Sequence, residues 1–457
     1  MREVDATMPS VLRTTVDDDL FIRMDRALGV PVVNQAVWRL HSLPSDAELD
    51  RLAQRLAVGR IGRLLRRSSL PLVRDHWVAE PTRSGGRVVD DTPVPAGGVT
   101  AWIDAAASTR FDLTEGPVWE LRSAPLEQGG AIVTLCVAHA AGDGALIVRA
   151  ILDALSGDDV GRFEARSPSV FEQARDATGQ AAAITTNLAA LATDLVTRRV
   201  RRDPDQTTTP AAVTAKTSRT VDVDPTAAEN DGALAPLCIT SVPTEAWRAV
   251  AAEAGGSSNA LFVAIVLGII VASGRVGADD TVRISIPMSL RTPDDDRANA
   301  TTGLSLDIPA SAALEKDLGV IRALAKEVYA VGTGRPSTFV RLQPAMQALS
   351  DRTVAALSGG ATTPLALASN LGTLDGQFAG LGDPDRANGV VTRSTTQAVT
   401  AEKLRSLRGG LAAWTNEACG ITTLSVIGLD PDGLGRSTLP DIVHAEFARW
   451  SLEPEDW

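Results

Sequence analysis

A histidine, a carboxylate and two glycines fall together in Ala138-His139-Ala140-Ala141-Gly142-Asp143-Gly144. A neutral imidazole, with an ordinary pKa of about 6.5, takes a proton from a hydroxyl or an amine at working pH. Small residues around it leave room for a substrate. His139 is therefore a competent general base. The same residues also fit a buried histidine without chemistry, followed by Asp143 as the N-cap of a helix. Residue types alone leave both readings open. The other three histidines, His41, His76 and His444, have no acidic or nucleophilic neighbour at useful spacing and read as structural. The three cysteines, Cys136, Cys238 and Cys419, are far apart, with no CxxC or mixed Cys/His spacing. Neither a disulfide framework nor a metal site is expected from them, and cofactor-free chemistry follows.

Two elements must hold this turn. Ala131 to His139 (AIVTLCVAH) is a nearly continuous apolar run of strand length, the pattern of a central strand covered on both faces. After the turn, Leu146, Ile147, Ala150, Ile151, Ala154 and Leu155 recur at helical spacing. Further elements follow the same logic. Leu49 to Arg67 reads as one amphipathic helix with arginines on its outer face, and the stretch past Arg175 to Val200 as an alanine-rich helix. Ala260 to Ala272 is too short to cross a bilayer and reads as a buried core helix. Val282 to Met288 alternates as a strand, with Pro287 near an edge or end. Leu314 to Val328 reads as one helix, Ile421 to Ile427 as a strand, Pro431-Asp432-Gly433 as a hairpin turn and Pro440 to Trp450 as a helix.

At 457 residues the chain exceeds what one core usually serves, so two lobes are expected. The Pro-, Thr- and Asp-rich stretch at 201–220 has no packing period, which divides the chain into 1–200, a linker at 201–220, and 221–457. Both halves mix strands and helices. A net charge of −12 argues against a nucleic-acid partner, which needs a basic footprint. Met1 to Asp19 carries acidic residues and no apolar run behind a basic start, so a cytoplasmic location is expected rather than export.

The turn resembles the HHxxxDG motif of the superfamily that contains chloramphenicol acetyltransferase, peptide-synthetase condensation domains and wax ester synthases. His139, Asp143 and Gly144 match it, and Ala138 stands where the first histidine would be. Phe111-Asp112-Leu113 with Gly116-Pro117-Val118-Trp119 resembles the "FDL…GPLW" segment upstream of that motif. Downstream, Ser258-Asn259-Ala260 is similar to the "ND…" helix start of bacterial wax ester synthase/diacylglycerol acyltransferases, and Ile286-Pro287-Met288-Ser289-Leu290-Arg291 to their "VPVSLR" strand. Ser369-Asn370-Leu371-Gly372 resembles the "SNLG" segment of condensation domains. The likeness runs over roughly residues 15 to 450, and the "DFGWG" latch of condensation domains has no counterpart.

The resemblance implies an α/β (α+β) fold of two chloramphenicol acetyltransferase-like lobes, each a mixed sheet with helices, meeting at an active-site tunnel. It implies an acyltransferase that moves an acyl group from an acyl thioester, on coenzyme A or a carrier protein, to a hydroxyl or amine of a lipid or secondary metabolite. His139 would be the base, and Asp143 a structural carboxylate paired with Arg291, which otherwise reads as a strand-end surface charge. Ser369 and Asn370 would face the developing oxyanion, or serve simple turn chemistry. The thioester, as acyl-CoA or phosphopantetheinyl conjugate, is a substrate, so no resident cofactor is implied. The acceptor is a small molecule or lipid, and an acyl or peptidyl carrier protein could dock on the arginines of Leu49 to Arg67. Two other readings stay open: a free-standing condensation enzyme joining carrier-bound substrates, and a catalytically silent scaffold of the same fold.

Overall fold

The apolar run ahead of the histidine forms strand β7 (Ala131–Ala138), and all eight of its residues are buried. The computed structural model in which this is seen describes residues 10–157, 161–200, 212–215, 217–219, 234–331, 344–357 and 364–457. Such a strand sits inside a sheet, with a neighbouring strand along each edge. In order, that sheet is β12 (Ala387–Thr396), β2 (Val32–Leu40), β7, β6 (Trp119–Pro125) and β5 (Gly85–Val89). Pairing is antiparallel except between β5 and β6. A second sheet runs β10 (Thr301–Pro309), β9 (Thr281–Ser289), β11 (Ala366–Thr373), β13 (Leu411–Ala418), β14 (Ile421–Gly428), β8 (Leu237–Pro243) and β15 (Glu455–Asp456). Here β11 is parallel to both β9 and β13. A small third sheet joins β1 (Leu12–Arg13), β4 (His76–Ala79) and β3 (Arg63–Arg66).

Helices cover these sheets. In the first lobe they are α1 (Val16–Arg26), α2 (Asp46–Val58), α3 (Val99–Ala107), α4 (Gly144–Ser156) and the long α5 (Val170–Val200). In the second they include α6 (Thr244–Glu253), α7 (Ser258–Ala272), α8 (Ala310–Leu314), α9 (Leu318–Val331) and the helix Leu439–Arg449. Ser257 caps α7 by accepting from Ala260 N, and every residue from Ala260 to Ile270 is buried. An all-apolar helix belongs in a core. Gly268 gives it one notch: a Cβ there would lie 2.2 Å from the buried carboxylate of Glu446 on the helix Leu439–Arg449. No single helix among the described residues is long and apolar enough to cross a membrane.

Several elements depart from the sequence reading. The amphipathic pattern from Leu49 to Arg67 is not one helix: α2 stops at Val58, and residues 63–66 form β3. A Cβ on Gly62 would sit 1.9 Å from the Ala57 carbonyl oxygen, so the chain turns through a glycine that makes that close approach. The arginines turn inward with it. Arg63 is fully buried, donating to the Arg60 and Asp296 carbonyls, and Arg60 donates to Asp153 at 2.7 Å, so the expected basic docking face loses both. The helix expected over Leu314 to Val328 is broken by Lys316 at φ 59°, and Asp317 caps the restart. Pro431-Asp432-Gly433 leads from β14 into a helix, while the hairpin between β13 and β14 turns at Cys419-Gly420.

The division of the chain is also less simple than a cut at 201–220. Most of that span lies outside the described residues, but Val213 donates to Thr281 O at 2.6 Å and Ser218 accepts from Arg275 at 2.6 Å, so 212–215 and 217–219 dock on the second lobe. More important, β12 comes from the C-terminal half and pairs along the whole of β2 in the first sheet. Its free edge carries polar bonds to the second sheet: Thr392 Oγ1 donates to Asn416 Oδ1, Asn416 Nδ2 to Val390 O, and Ser425 Oγ to Thr392 O. Arg393 on β12 is buried, with Nε 2.7 Å from Gln35 Oε1 and Nη2 2.8 Å from Asp104. Asp104 is 17% exposed and keeps a second cation in Arg436 at 3.8 Å, so Arg393→Ala is expected to cost about 1–3 kcal/mol of unfolding free energy, read by chemical denaturation.

Candidate active site

Strand β7 ends at Ala138, a single 3-10 turn carries His139–Ala141, and α4 begins at Gly144. Asp143 closes the turn. Its Oδ1 accepts from Leu146 N at 2.8 Å as the N-cap of α4. Its Oδ2 accepts from Arg291 Nη2 at 2.8 Å, Ala300 N at 2.8 Å and Thr301 Oγ1 at 3.3 Å. Both members of the ion pair are buried, so the acid holds a helix start in the first lobe and the loop 290–300 of the second in one place. Arg291 adds bonds from its guanidinium to the carbonyls of Asp295, Arg297 and Ala298, which shape that loop. Gly144 has no positive φ, and a Cβ there would meet only Leu371, at an ordinary 3.5 Å.

The loop so held delivers Asn299 to the histidine. His139 Nδ1 lies 3.2 Å from Asn299 Oδ1. The orientation of that amide is set by its other end, because Asn299 Nδ2 donates to Asp18 Oδ1 and to the carbonyls of His139 and Ala140, which can only accept. Asn299 Oδ1 must then accept, so Nδ1 of His139 carries its proton and Nε2 keeps the lone pair. No described residue bonds Nε2. Asp18 is fully buried and takes four N–H donors: Thr15 N and Trp77 Nε1 on Oδ2, and the backbone and side-chain nitrogens of Asn299 on Oδ1. Burial pushes the Asp18 carboxyl above the usual carboxylate range, opposed by these donors and by the charge of Arg63.

The surroundings of the ring are apolar. Phe21 of α1 stacks on His139 with centroids 3.6 Å apart and planes 16° from parallel. Burial lowers the imidazole pKa to about 4, against smaller upward pulls from its own backbone carbonyl, Asp143 and Asn299. The ring is thus neutral over the physiological range. Phe21 also lines, with Val33, Phe111, Leu113, Ala138 and Ala140 but not His139, a cavity of about 10 Å³, room for about one water. On the far side of α1 a polar cavity of about 310 Å³ is lined by Asp19, Arg23, Arg67, Arg74 and Asp351 among others.

Ser369 and Asn370 sit on β11, and the structure separates their surroundings. The Asn370 amide is engaged at both ends, Nδ2 donating to Asn259 Oδ1 at 3.0 Å and Oδ1 accepting from Gly372 N at 2.7 Å. It braces the start of α7. Leu371 approaches Gly144, and Ser369 and Asn370, paired in register with Trp414 and Thr415 ahead of an irregularity between Asn370 and Thr373, face opposite sides of the strand. Sequence reading missed Asp18, Phe21, Trp77 and Asn299 at this site. Thr15-Val16-Asp17-Asp18 is legible as a capping box, and the structure has that box, but nothing in the sequence ties it to a residue 281 positions away. Among the described residues, the one group of three metal-ligating side chains is Cys238, His444 and Asp456, outside this site.

No protein-family model matches the sequence, and no curated protein sequence is similar to it. Solved structures are similar in fold over nearly the whole chain. A wax ester synthase/diacylglycerol acyltransferase from Marinobacter aquaeolei VT8 shares 14% identity, covering 96% of this chain and 98% of its own, at a TM-score of 0.54. The cyclization-docking bidomain of a nonribosomal peptide synthetase from Sorangium cellulosum shares 14%, over 97% of this chain and 84% of its own, also at 0.54. The condensation domain of the Monacolin K polyketide synthase shares 12%, over 97% and 98%, at 0.52. This chain therefore has the mixed α/β, two-lobed chloramphenicol acetyltransferase-like fold that wax ester synthases and condensation domains share.

Proposed function

We propose that this protein is an acyltransferase using an acyl thioester donor, with His139 as the general base. The observation that carries the reading is the commitment of Nδ1 to Asn299, which leaves a neutral Nε2 lone pair at the strand-to-helix turn of a fold used by acyltransferases and condensation domains. The acceptor hydroxyl or amine gives its proton to Nε2 as its heteroatom attacks the thioester carbonyl. The tetrahedral oxyanion collapses by breaking the C–S bond, and the leaving thiolate takes the proton from the imidazolium. The acyl group ends on the acceptor and the thiol is free, without a covalent enzyme intermediate or a resident cofactor. Ser369 is the donor we assign to the oxyanion from the second lobe, because Asn370 is spent on Asn259 and Gly372. The donor is an acyl-CoA or a carrier-bound phosphopantetheinyl thioester, and the acceptor a lipid or small metabolite.

A silent scaffold is the reading that one observation favours instead: Phe21 lies flat on the histidine and covers one face of the ring. Catalysis therefore requires α1 to give way when substrates enter. Free-thiol release from a panel of acyl-CoAs and carrier-bound thioesters, with pooled alcohols and amines, separates the two. Turnover is expected in the native protein, and His139→Ala is expected to reduce it by about 10²–10⁴-fold. Absence of release with every donor supports the scaffold. Because the neutral ring is the reactive form, the rate should be lost only as pH falls through about 4, not near the ordinary histidine value of about 6.5; initial rates against pH read this. Asn299→Leu removes the acceptor that helps hold Nδ1–H, and should lower kcat on the order of 10²-fold with little change in KM, measured by steady-state kinetics.

A further inference from the structure

Three side chains remote in sequence converge at the edge of the second lobe: Cys238 on β8, His444 on the helix Leu439–Arg449, and Asp456 on β15. One ligand atom from each lies within 4.8 Å of the other two. His444 Nε2 is already 2.8 Å from Asp456 Oδ1. We infer that Cys238 Sγ, a ring nitrogen of His444 and a carboxylate oxygen of Asp456 form a zinc site, with water in the fourth position.

In a tetrahedral site, zinc bonds of about 2.3 Å to sulfur and about 2.0–2.1 Å to nitrogen or oxygen set the ligand atoms about 3.3–3.6 Å apart, so the His444–Asp456 contact must open slightly and the more distant atoms close by about an ångström. The donor set selects the metal: thiolate with imidazole suits borderline-soft Zn²⁺, while Mg²⁺ and Ca²⁺ take oxygen ligands. Access is open on one side only. The His444 and Asp456 side chains are 37% and 59% exposed, whereas Cys238 is at 6%, which puts the sulfur at the floor and the fourth position towards solvent. Zinc binds the thiolate, so on binding the S–H proton leaves to solvent and the S–Zn bond forms.

The site also has a structural consequence. β15 makes only two pairs with β8, Glu455 with Ser241 and Asp456 with Thr240. Next to it, the Trp457 ring lies under Arg39 and against Gly389, on strands β2 and β12 of the other sheet. A metal at Asp456 would pin the segment that carries this inter-lobe contact.

The test uses the full chain, stripped with a chelator that is then removed, and titrated with Zn²⁺ by calorimetry and with Co²⁺ by absorption. One equivalent of Zn²⁺ is expected, with a thiolate-to-Co²⁺ charge-transfer band and a raised unfolding midpoint. His444→Gln and Asp456→Asn, at half-buried and exposed positions respectively, should each weaken binding at least about tenfold, and Cys238→Ala should abolish the charge-transfer band. Substoichiometric binding, binding unchanged in both the His444 and Asp456 variants, or a Co²⁺ spectrum without the sulfur band would overturn the assignment. None of these readouts depends on acyl transfer.

Discussion

The arrangement around His139 depends on one buried carboxylate. Asp143 caps α4 through one oxygen and receives Arg291, Ala300 N and Thr301 through the other. A carboxylate so enclosed is tolerable only with charge and donors on both oxygens. Because those donors come from the two lobes, satisfying the acid also fixes one lobe against the other at this point. The loop 290–300 then has no freedom to withdraw, and Asn299 is carried to the histidine. The acid works as a positioning group, one loop removed from the proton it helps to place.

A second buried carboxylate completes the arrangement from below. Asp18 orients the Asn299 amide, and the amide orients the imidazole, in a chain that runs through a helix N-terminus rather than through the motif. Trp77 from the small third sheet closes the chain at its far end. The histidine pays for its enclosure in basicity, with Phe21 over one face and a pKa near 4. A ring so placed stays in its neutral form across the physiological range. Helix α1 thus both supports the ring, through Asp18, and covers it, through Phe21 one turn on.

The two sheets are joined by exchange rather than by simple contact. β12 leaves the second half of the chain, completes the first sheet, and turns its free edge to Asn416 and Ser425 of the second. Identities of 12–14% with proteins of the same fold show how little of this depends on particular side chains. What must persist is the alternation and burial of strands, which many apolar residues satisfy.

Much of the local structure was legible in the sequence because it rests on short-range physics. An unbroken apolar run gave β7, a 3.6-residue stripe gave α4, Ser257 capped α7, and the strand-to-helix turn placed His139 and Asp143 together. Glycine geometry defeated the same method at 59–62, where one amphipathic period covers a helix and a strand and turns Arg60 and Arg63 inward. Ser369 and Asn370, adjacent in sequence, were read as a pair, but a strand sends neighbours to opposite faces. Asp18, Phe21, Trp77 and Asn299, the crossover of β12, and the meeting of Cys238 with His444 and Asp456 carried no signal at all. Sequence alone determined which segments form strands and helices and which turn holds His139, since propensity, period and capping act over a few residues. Only the tertiary structure decided the proton's place on that histidine, because the groups that orient it lie 121 and 160 positions away in the chain and meet it through buried hydrogen bonds.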